Sequence, residues 1–181
     1  MLNSKVKDYL ILFGVAGISI GLDQWTKWLV REHIPFGEQW LPEWLSWLSP
    51  YARFVHWSNS GAAFGMFQDG NQIFKVLAFV VIGAIIYYYP QIEKEGLYLK
   101  IAMGMQLGGA AGNLIDRLLK NEVTDFISVG TFPVFNVADA SISVGVAVLL
   151  LGVWWQERQA KLQAKNDELQ ATNNERLETS D

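Results

Sequence analysis

Five groups of polar residues stand in or beside the apolar parts of this chain: Asp23 with Lys27, Asn59 in "NSGAAFG" (59–65), Asn113 with Asp116 and Arg117 in "GNLIDR" (112–117), Asp125 in "VTDF" (123–126), and Asn136 with Asp139 in "FNVAD" (135–139). A charge at mid-bilayer costs about 2.5–3.5 kcal/mol even on lenient insertion scales, so such residues are usually paired or functional. Two carboxylates brought together in a partly desolvated site cannot both ionise easily and tend to share a proton. The pair then offers a base and an acid at once. Aspartic proteases use that state to activate water against a peptide carbonyl and to protonate the leaving amine. No other nucleophile competes well: the chain has no cysteine, His33 and His56 are isolated, and no serine pairs convincingly with a buried lysine. A metal site is not expected.

Each group taken alone also has a structural reading. Asp23 and Lys27 stand at i and i+4 with the acid first, the better order for a helical ion pair. Asp116 is next to Arg117 and could be neutralised by it, while Asn113 and Arg117 share a helix face. Asn136 and Asp139 could serve as helix cap and first-turn acid. The partner of Asp139 could be Asp116 or Asp125; Asp125 is preferred because it has no basic neighbour in sequence.

The elements that must position these groups are apolar. Of 181 residues, 51% are hydrophobic and 8 are Trp, yet the mean hydropathy is only +0.16. The average hides segregation into four apolar runs, residues 9–30, 73–89, 97–115 and 134–155. Each suits a bilayer core that needs about 20 mostly apolar residues. Trp25, Trp28, Tyr87 to Tyr89, Trp154 and Trp155 lie toward the run ends, as interfacial aromatics do. The expected fold is therefore an all-α membrane protein with four transmembrane helices. The first run is too long for a removed signal peptide, lacks a small-residue cleavage site and contains Asp23 and Lys27. In the large loop Trp40, Leu41, Trp44, Leu45, Trp47 and Leu48 fall at helical spacing, as in an amphipathic segment lying in the membrane interface. That extracytoplasmic loop region can also include a small β element. Gly104, Gly108 and Gly112, spaced four apart, would let two helices approach closely. Residues 1–155 form the expected transmembrane domain, and 156–181 a polar cytoplasmic tail that is helical and frays.

Four spans put both termini on one side, with eight lysines and arginines there against six on the other. That bias favours cytoplasmic termini. Threaded this way, all five polar groups reach the same outer face. A proton-coupled carrier would need polar access from both faces, and the inner halves of the second, third and fourth runs offer almost none. A scaffold binding a partner helix is a third reading. Nucleic acid is not an expected partner, since no basic stripe is present and the net charge is −4.

The motifs "DQWTK" (23–27), "NSGAAFG" (59–65), "GGAAGNLIDR" (108–117), "VTDF" and "FNVAD", in this order over residues 20–150, resemble the lipoprotein signal peptidases, the signal peptidase II family of aspartyl peptidases in the bacterial inner membrane. "NSG" stands where that family more often has Asn-Thr-Gly, which keeps the hydroxyl. The resemblance implies cleavage of diacylglyceryl-modified prolipoproteins immediately before the lipidated cysteine. It implies Asp125 and Asp139 as catalytic dyad, with Asn59, Gly61, Asn113, Arg117 and Asn136 binding substrate or supporting the dyad. Asp23, Lys27 and Asp116 would be structural. It further implies no metal or organic cofactor, inhibition by globomycin-type cyclic peptides, contact with membrane lipids, a monomer, and an active site near the extracytoplasmic face.

Overall fold

The computed structural model describes residues 4–61, 70–92 and 96–178. Four helices carry the fold: α1 (Ser4–His33), α2 (Asn71–Tyr88), α3 (Leu97–Lys120) and α4 (Val137–Glu178). Three strands, β1 (Gln39–Trp40), β2 (Ala52–Asn59) and β3 (Val123–Val129), form an antiparallel sheet in the order β1-β2-β3.

Helix α3 is the central element and packs against α1, α2 and α4. Its sequence explains this, because glycines replace bulk where neighbours press closest. A Cβ at Gly108 would lie 2.6 Å from the Ser19 Cβ and 2.7 Å from the Ala16 carbonyl oxygen, so α1 can approach only if that position is bare. Beside this contact, Leu12, Ala16, Ile85, Tyr89, Met103 and Leu107 form one core cluster. Val30, Ile34 and Phe126 form a second, where α1 meets β3.

The bundle's exterior is apolar. Helix α2 exposes Ile73, Val76, Leu77, Phe79 and Val80, and α4 exposes Val144, Val146, Leu150 and Leu151. Contiguous apolar surface of this kind marks a membrane or partner contact. Residues Asn71–Ile92 and Val137–Asp167 are long and apolar enough to cross a membrane. Helices α1 and α3 interrupt their apolar runs with the polar residues that build the site.

Several expectations need correction. The tryptophan-rich loop is not one amphipathic α-helix: Trp40 lies in β1, and only Glu43–Leu48 form a short 3-10 helix. Pro42 and Pro50 bracket that segment, and neither can sit inside a longer helix. Trp44 and Trp47 are nonetheless exposed. Tyr89 is not an interfacial residue but is buried, with its hydroxyl donating to the Asp8 carbonyl at 2.6 Å. Asp125 stands on β3. The polar tail is helical, as expected, and continues α4 as far as Glu178. Residues 62–65 of "NSGAAFG" lie outside the described residues.

Candidate active site

The sheet and α4 bring their polar residues together through two devices. The first is a bulge. Phe54 pairs with Ile127 but Trp57 pairs with Asp125, so β2 carries one extra residue between these positions. Side chains alternate along a strand, and the extra residue resets their parity. Asn59, opposite Val123, therefore shares a face with Asp125 instead of with Thr124. Its Nδ2 donates to Asp125 Oδ2 at 3.0 Å, while its Oδ1 accepts from the Gly61 N–H at 3.0 Å.

The second device is the return of the chain after β3. Phe135 exchanges backbone hydrogen bonds with Ile127 (3.1 and 2.8 Å), which lays residues 133–136 back along the strand. Asn136 then caps α4. Its Oδ1 accepts from the Asp139 N–H at 2.9 Å, and Asp139 Oδ2 accepts from the Asn136 N–H at 3.2 Å, a reciprocal capping box. The amide left over donates to Asp125 Oδ1 at 2.7 Å and Asn113 Oδ1 at 3.1 Å. Asn113 Nδ2 donates to Asp139 Oδ1 at 2.8 Å.

Behind this layer sits a buried charge cluster. Asp23 and Lys27 are fully buried and 2.8 Å apart. Lys27 also meets Asp116 Oδ2 at 3.1 Å, and Arg31 lies 3.6 Å from Asp116 Oδ1. Each carboxylate in the cluster ties elements together: Asp23 Oδ1 accepts from the Ala138 N–H at 2.9 Å, and Asp116 Oδ2 from the Thr124 N–H at 3.3 Å. Asp116 is thus neutralised by Lys27 and Arg31 rather than by its chain neighbour Arg117. Helical geometry is the reason, since adjacent residues point about 100° apart around a helix. Arg117 instead stacks over Phe74 (5.3 Å), and its coulombic partners are Asp139, Asp125 and Asp116 in that order. Its Nε has no hydrogen-bond partner among the described residues.

Asn59, Gly61, Arg117, Asp125 and Asp139 line one cavity of about 470 Å³, walled by Phe74, Phe132, Val134, Phe135 and Val144. Burial first, and then the Asp139 carboxylate, push Asp125 from the usual 3.8 up to about 7; the amides of Asn59 and Asn136 oppose that rise. An acid poised near neutrality beside a second carboxylate has the ingredients of general acid–base catalysis on a bound amide. A separate groove of about 530 Å³ along α1, lined by Leu29, Val30, Ile34, Trp40, Phe54 and Phe126, contains no carboxylate and lacks that chemistry.

All ten residues singled out from the sequence therefore fall in this region: Asp125, Asp139, Asn59, Gly61 and Arg117 at the cavity, Asn113 and Asn136 between the aspartates and the charge cluster, and Asp23, Lys27 and Asp116 in the cluster. Sequence reasoning missed Arg31 and Phe74. Arg31 lies one turn beyond Lys27, a spacing that could have revealed it. Phe74 carried no polar signal. Also missed was a second ion pair, Lys100 with Asp8 at 2.6 Å, at the opposite end of the bundle.

An apolar helical bundle with carboxylates in a cleft under a small sheet is the architecture of a membrane enzyme. A solved bacterial membrane enzyme aligns with a TM-score of 0.70 at 26% identity, covering 81% of this chain and 88% of that one. The family model described as signal peptidase (SPase) II matches residues 15–155. Similar curated proteins include the lipoprotein signal peptidases of Shouchella clausii (45% identical over 148 residues, 81% of this chain and 95% of that protein) and Halalkalibacterium halodurans (38% over 156 residues, 84% and 97%). The chain belongs to the signal peptidase II family and is a protease.

Proposed function

We propose that this protein is an intramembrane aspartyl endopeptidase that removes signal peptides from diacylglyceryl-modified prolipoproteins, cleaving before the lipidated cysteine. The observation that carries this reading is the meeting of Asp125, from β3, and Asp139, from α4, in one cavity, both held by Asn136. One carboxylate takes a proton from water as the oxygen attacks the scissile carbonyl. The other, protonated, supplies the proton that the carbonyl oxygen or departing amine requires. Arg117, with an N–H facing no described partner, is suited to hold a substrate carbonyl, and Asn59 and Gly61 line the same wall.

In this reading α1 to α4 are four spans with cytoplasmic termini, residues 1–155 are the peptidase domain, and 156–181 are a cytoplasmic tail. The sheet lies at the extracytoplasmic face, where the exposed Trp44 and Trp47 enter the interface. The scissile bond of a lipid-anchored substrate lies near that interface, so the site meets it without extracting the lipid. The test is cleavage of a diacylglyceryl lipopeptide by purified wild type and by Asp125→Asn and Asp139→Asn, with folding checked by thermal stability. Retained cleavage by either folded variant would refute the reading.

A further inference from the structure

Lys27 uses all three of its N–H groups: on Asp23 Oδ2 (2.8 Å), Asp116 Oδ2 (3.1 Å) and Asn113 Oδ1 (2.9 Å). An ammonium has three donors and no acceptor, so this set is complete. Two carboxylates already balance its charge; the third bond reaches toward the dyad. Asn113 Oδ1 also accepts from Asn136 Nδ2 at 3.1 Å. Flipping the Asn113 amide would set its NH2 against an ammonium and against a second NH2. Only one orientation survives, and in it Nδ2 donates to Asp139 Oδ1 at 2.8 Å.

The two aspartates are therefore not equivalent. Asp139 lies in the first turn of α4, where the backbone N–H groups and the helix dipole favour negative charge. The amide it accepts from is polarised by the Lys27 ammonium, which strengthens that bond. Asp125 is 2% exposed on a strand, is held by two amides, and has no ion pair among the described residues. Facing the dyad are Asp23 and Lys27 from α1 and Asp116 and Arg117 from α3, with neutral Asn59 from β2 and Phe74 from α2. Of the cations, Arg117 acts on both aspartates from the cavity; Lys27 acts on Asp125 through space without a hydrogen bond to it, and is joined by hydrogen bonds to Asp139 through the single amide of Asn113.

We propose that Lys27 is a positioning residue for peptide cleavage: through Asn113 it keeps the charge of the aspartate pair on Asp139, making Asp139 the general base and Asp125 the acid. The inference rests on the dyad reading above. Asp139 takes a proton from water as the water oxygen bonds to the carbonyl carbon, and the Asp125 proton goes to the carbonyl oxygen. The resulting gem-diol returns a proton to Asp125 as the C–N bond breaks, and the proton held by Asp139 goes to the leaving nitrogen. The products are a carboxylic acid and an amine, and the pair ends with its one proton back on Asp125.

Lys27→Met alone would leave the buried Asp23 carboxylate without a counter-charge, so the charge-balanced pair Lys27→Met/Asp23→Asn is the better probe. It keeps Arg31 beside Asp116 and an acceptor for the Ala138 N–H. The measurement is kcat and KM for a diacylglyceryl lipopeptide across pH, alongside thermal stability. The expected result is a kcat reduced ten- to hundredfold with KM within about twofold, and an acidic limb of the kcat profile moved up by about one pH unit. Asn113→Leu should give the same displacement, and combining it with the pair should add nothing. An acidic limb unmoved in the folded pair, or in Asn113→Leu should the pair not fold, would overturn the proposal. Failure of the dyad reading would show separately, as cleavage by Asp139→Asn, and would remove the proposal with it.

Discussion

Asn136 donates from its side-chain amide to Asp125 Oδ1 at 2.7 Å, and its backbone N–H reaches Asp139 Oδ2 at 3.2 Å. One fully buried residue thus sets the spacing of two carboxylates that come from a strand and a helix. Asn136→Ala should therefore act twice. Loss of the cap costs about 0.5–2 kcal/mol, and the buried acceptors left behind add to that. Chemical denaturation should show destabilisation of about 2 kcal/mol, and lipopeptide cleavage should fall about a hundredfold or more in kcat. A variant with wild-type kcat would mean that Asn136 is only a cap.

The dyad assignment separates three aspartates by what they lose. Asp125→Asn and Asp139→Asn should remain folded while kcat falls by roughly 10³-fold or more, as expected when an acid or base is removed from a coupled pair. Asp116→Asn leaves Arg31 without its carboxylate and Lys27 with Asp23 as its one remaining counter-charge, and breaking a buried pair costs about 3–5 kcal/mol. Its loss should appear in the melting temperature first. A folded, inactive Asp116→Asn beside an active Asp125→Asn would redraw the dyad.

Asp125, pushed up to about 7, makes two pH predictions. As the proton donor it works only while protonated, so kcat should decline as pH rises through and above about 7. The sign for stability follows from proton binding. Between the usual carboxylate value and about 7 the native state holds a proton that the unfolded chain has released. Its contribution is complete below about 4 and lost as pH climbs through about 7. Melting temperature should accordingly fall from pH 5 to pH 8, at most about 1.4 kcal/mol per pH unit from this group. Asp125→Asn should flatten that slope; an equal slope in the variant would exclude Asp125 as its source.

How much of this was legible depended on whether a signal was local. The i, i+4 spacing of Asp23 and Lys27, the cap of α4 and the glycine repeat of α3 are local, and the structure keeps all three. The one-residue bulge that turns Asn59 toward Asp125 is not local: it exists only relative to β3, some 65 residues away. The partner of Asp116 was misread for a similar reason. Chain adjacency suggested Arg117, but packing of α1 on α3 brings Lys27 and Arg31 to the carboxylate. Tyr89 was taken for an interfacial aromatic by composition, while its burial follows from the Asp8 carbonyl across the bundle.

Gly112 offers a test of how tightly the charge cluster is packed behind the dyad. A Cβ there would lie 2.7 Å from Asp23 Oδ2, the same oxygen that meets Lys27. The Gly112 carbonyl also accepts from Gln24 at 3.0 Å, so α3 cannot simply step away from α1. Gly112→Ala adds helix propensity, worth up to about 1 kcal/mol, but overpacking costs about 1–3 kcal/mol. Net destabilisation with reduced kcat is expected, and Gly112→Ser should be no better. A stabilised, fully active Gly112→Ala would show that the cluster has slack.

Lys100 provides the complementary control, because it forms a separate, largely buried ion pair and lies far along α3 from the dyad. Its Nζ meets Asp8 at 2.6 Å, and Tyr89 donates to the backbone of the same Asp8, so this cluster clamps α1, α3 and the end of α2. None of these residues lines the cavity that holds Asp125 and Asp139. Lys100→Met should therefore destabilise by about 1–3 kcal/mol, since it leaves a largely buried carboxylate unpaired. The double variant Lys100→Met/Asp8→Asn should recover part of that loss, because no unpaired charge remains. In both, kcat and the pH profile of the folded enzyme should match wild type. A displaced pH profile in Lys100→Met would mean that the two ends of the bundle are coupled and that the dyad's charge is set by more than its immediate neighbours.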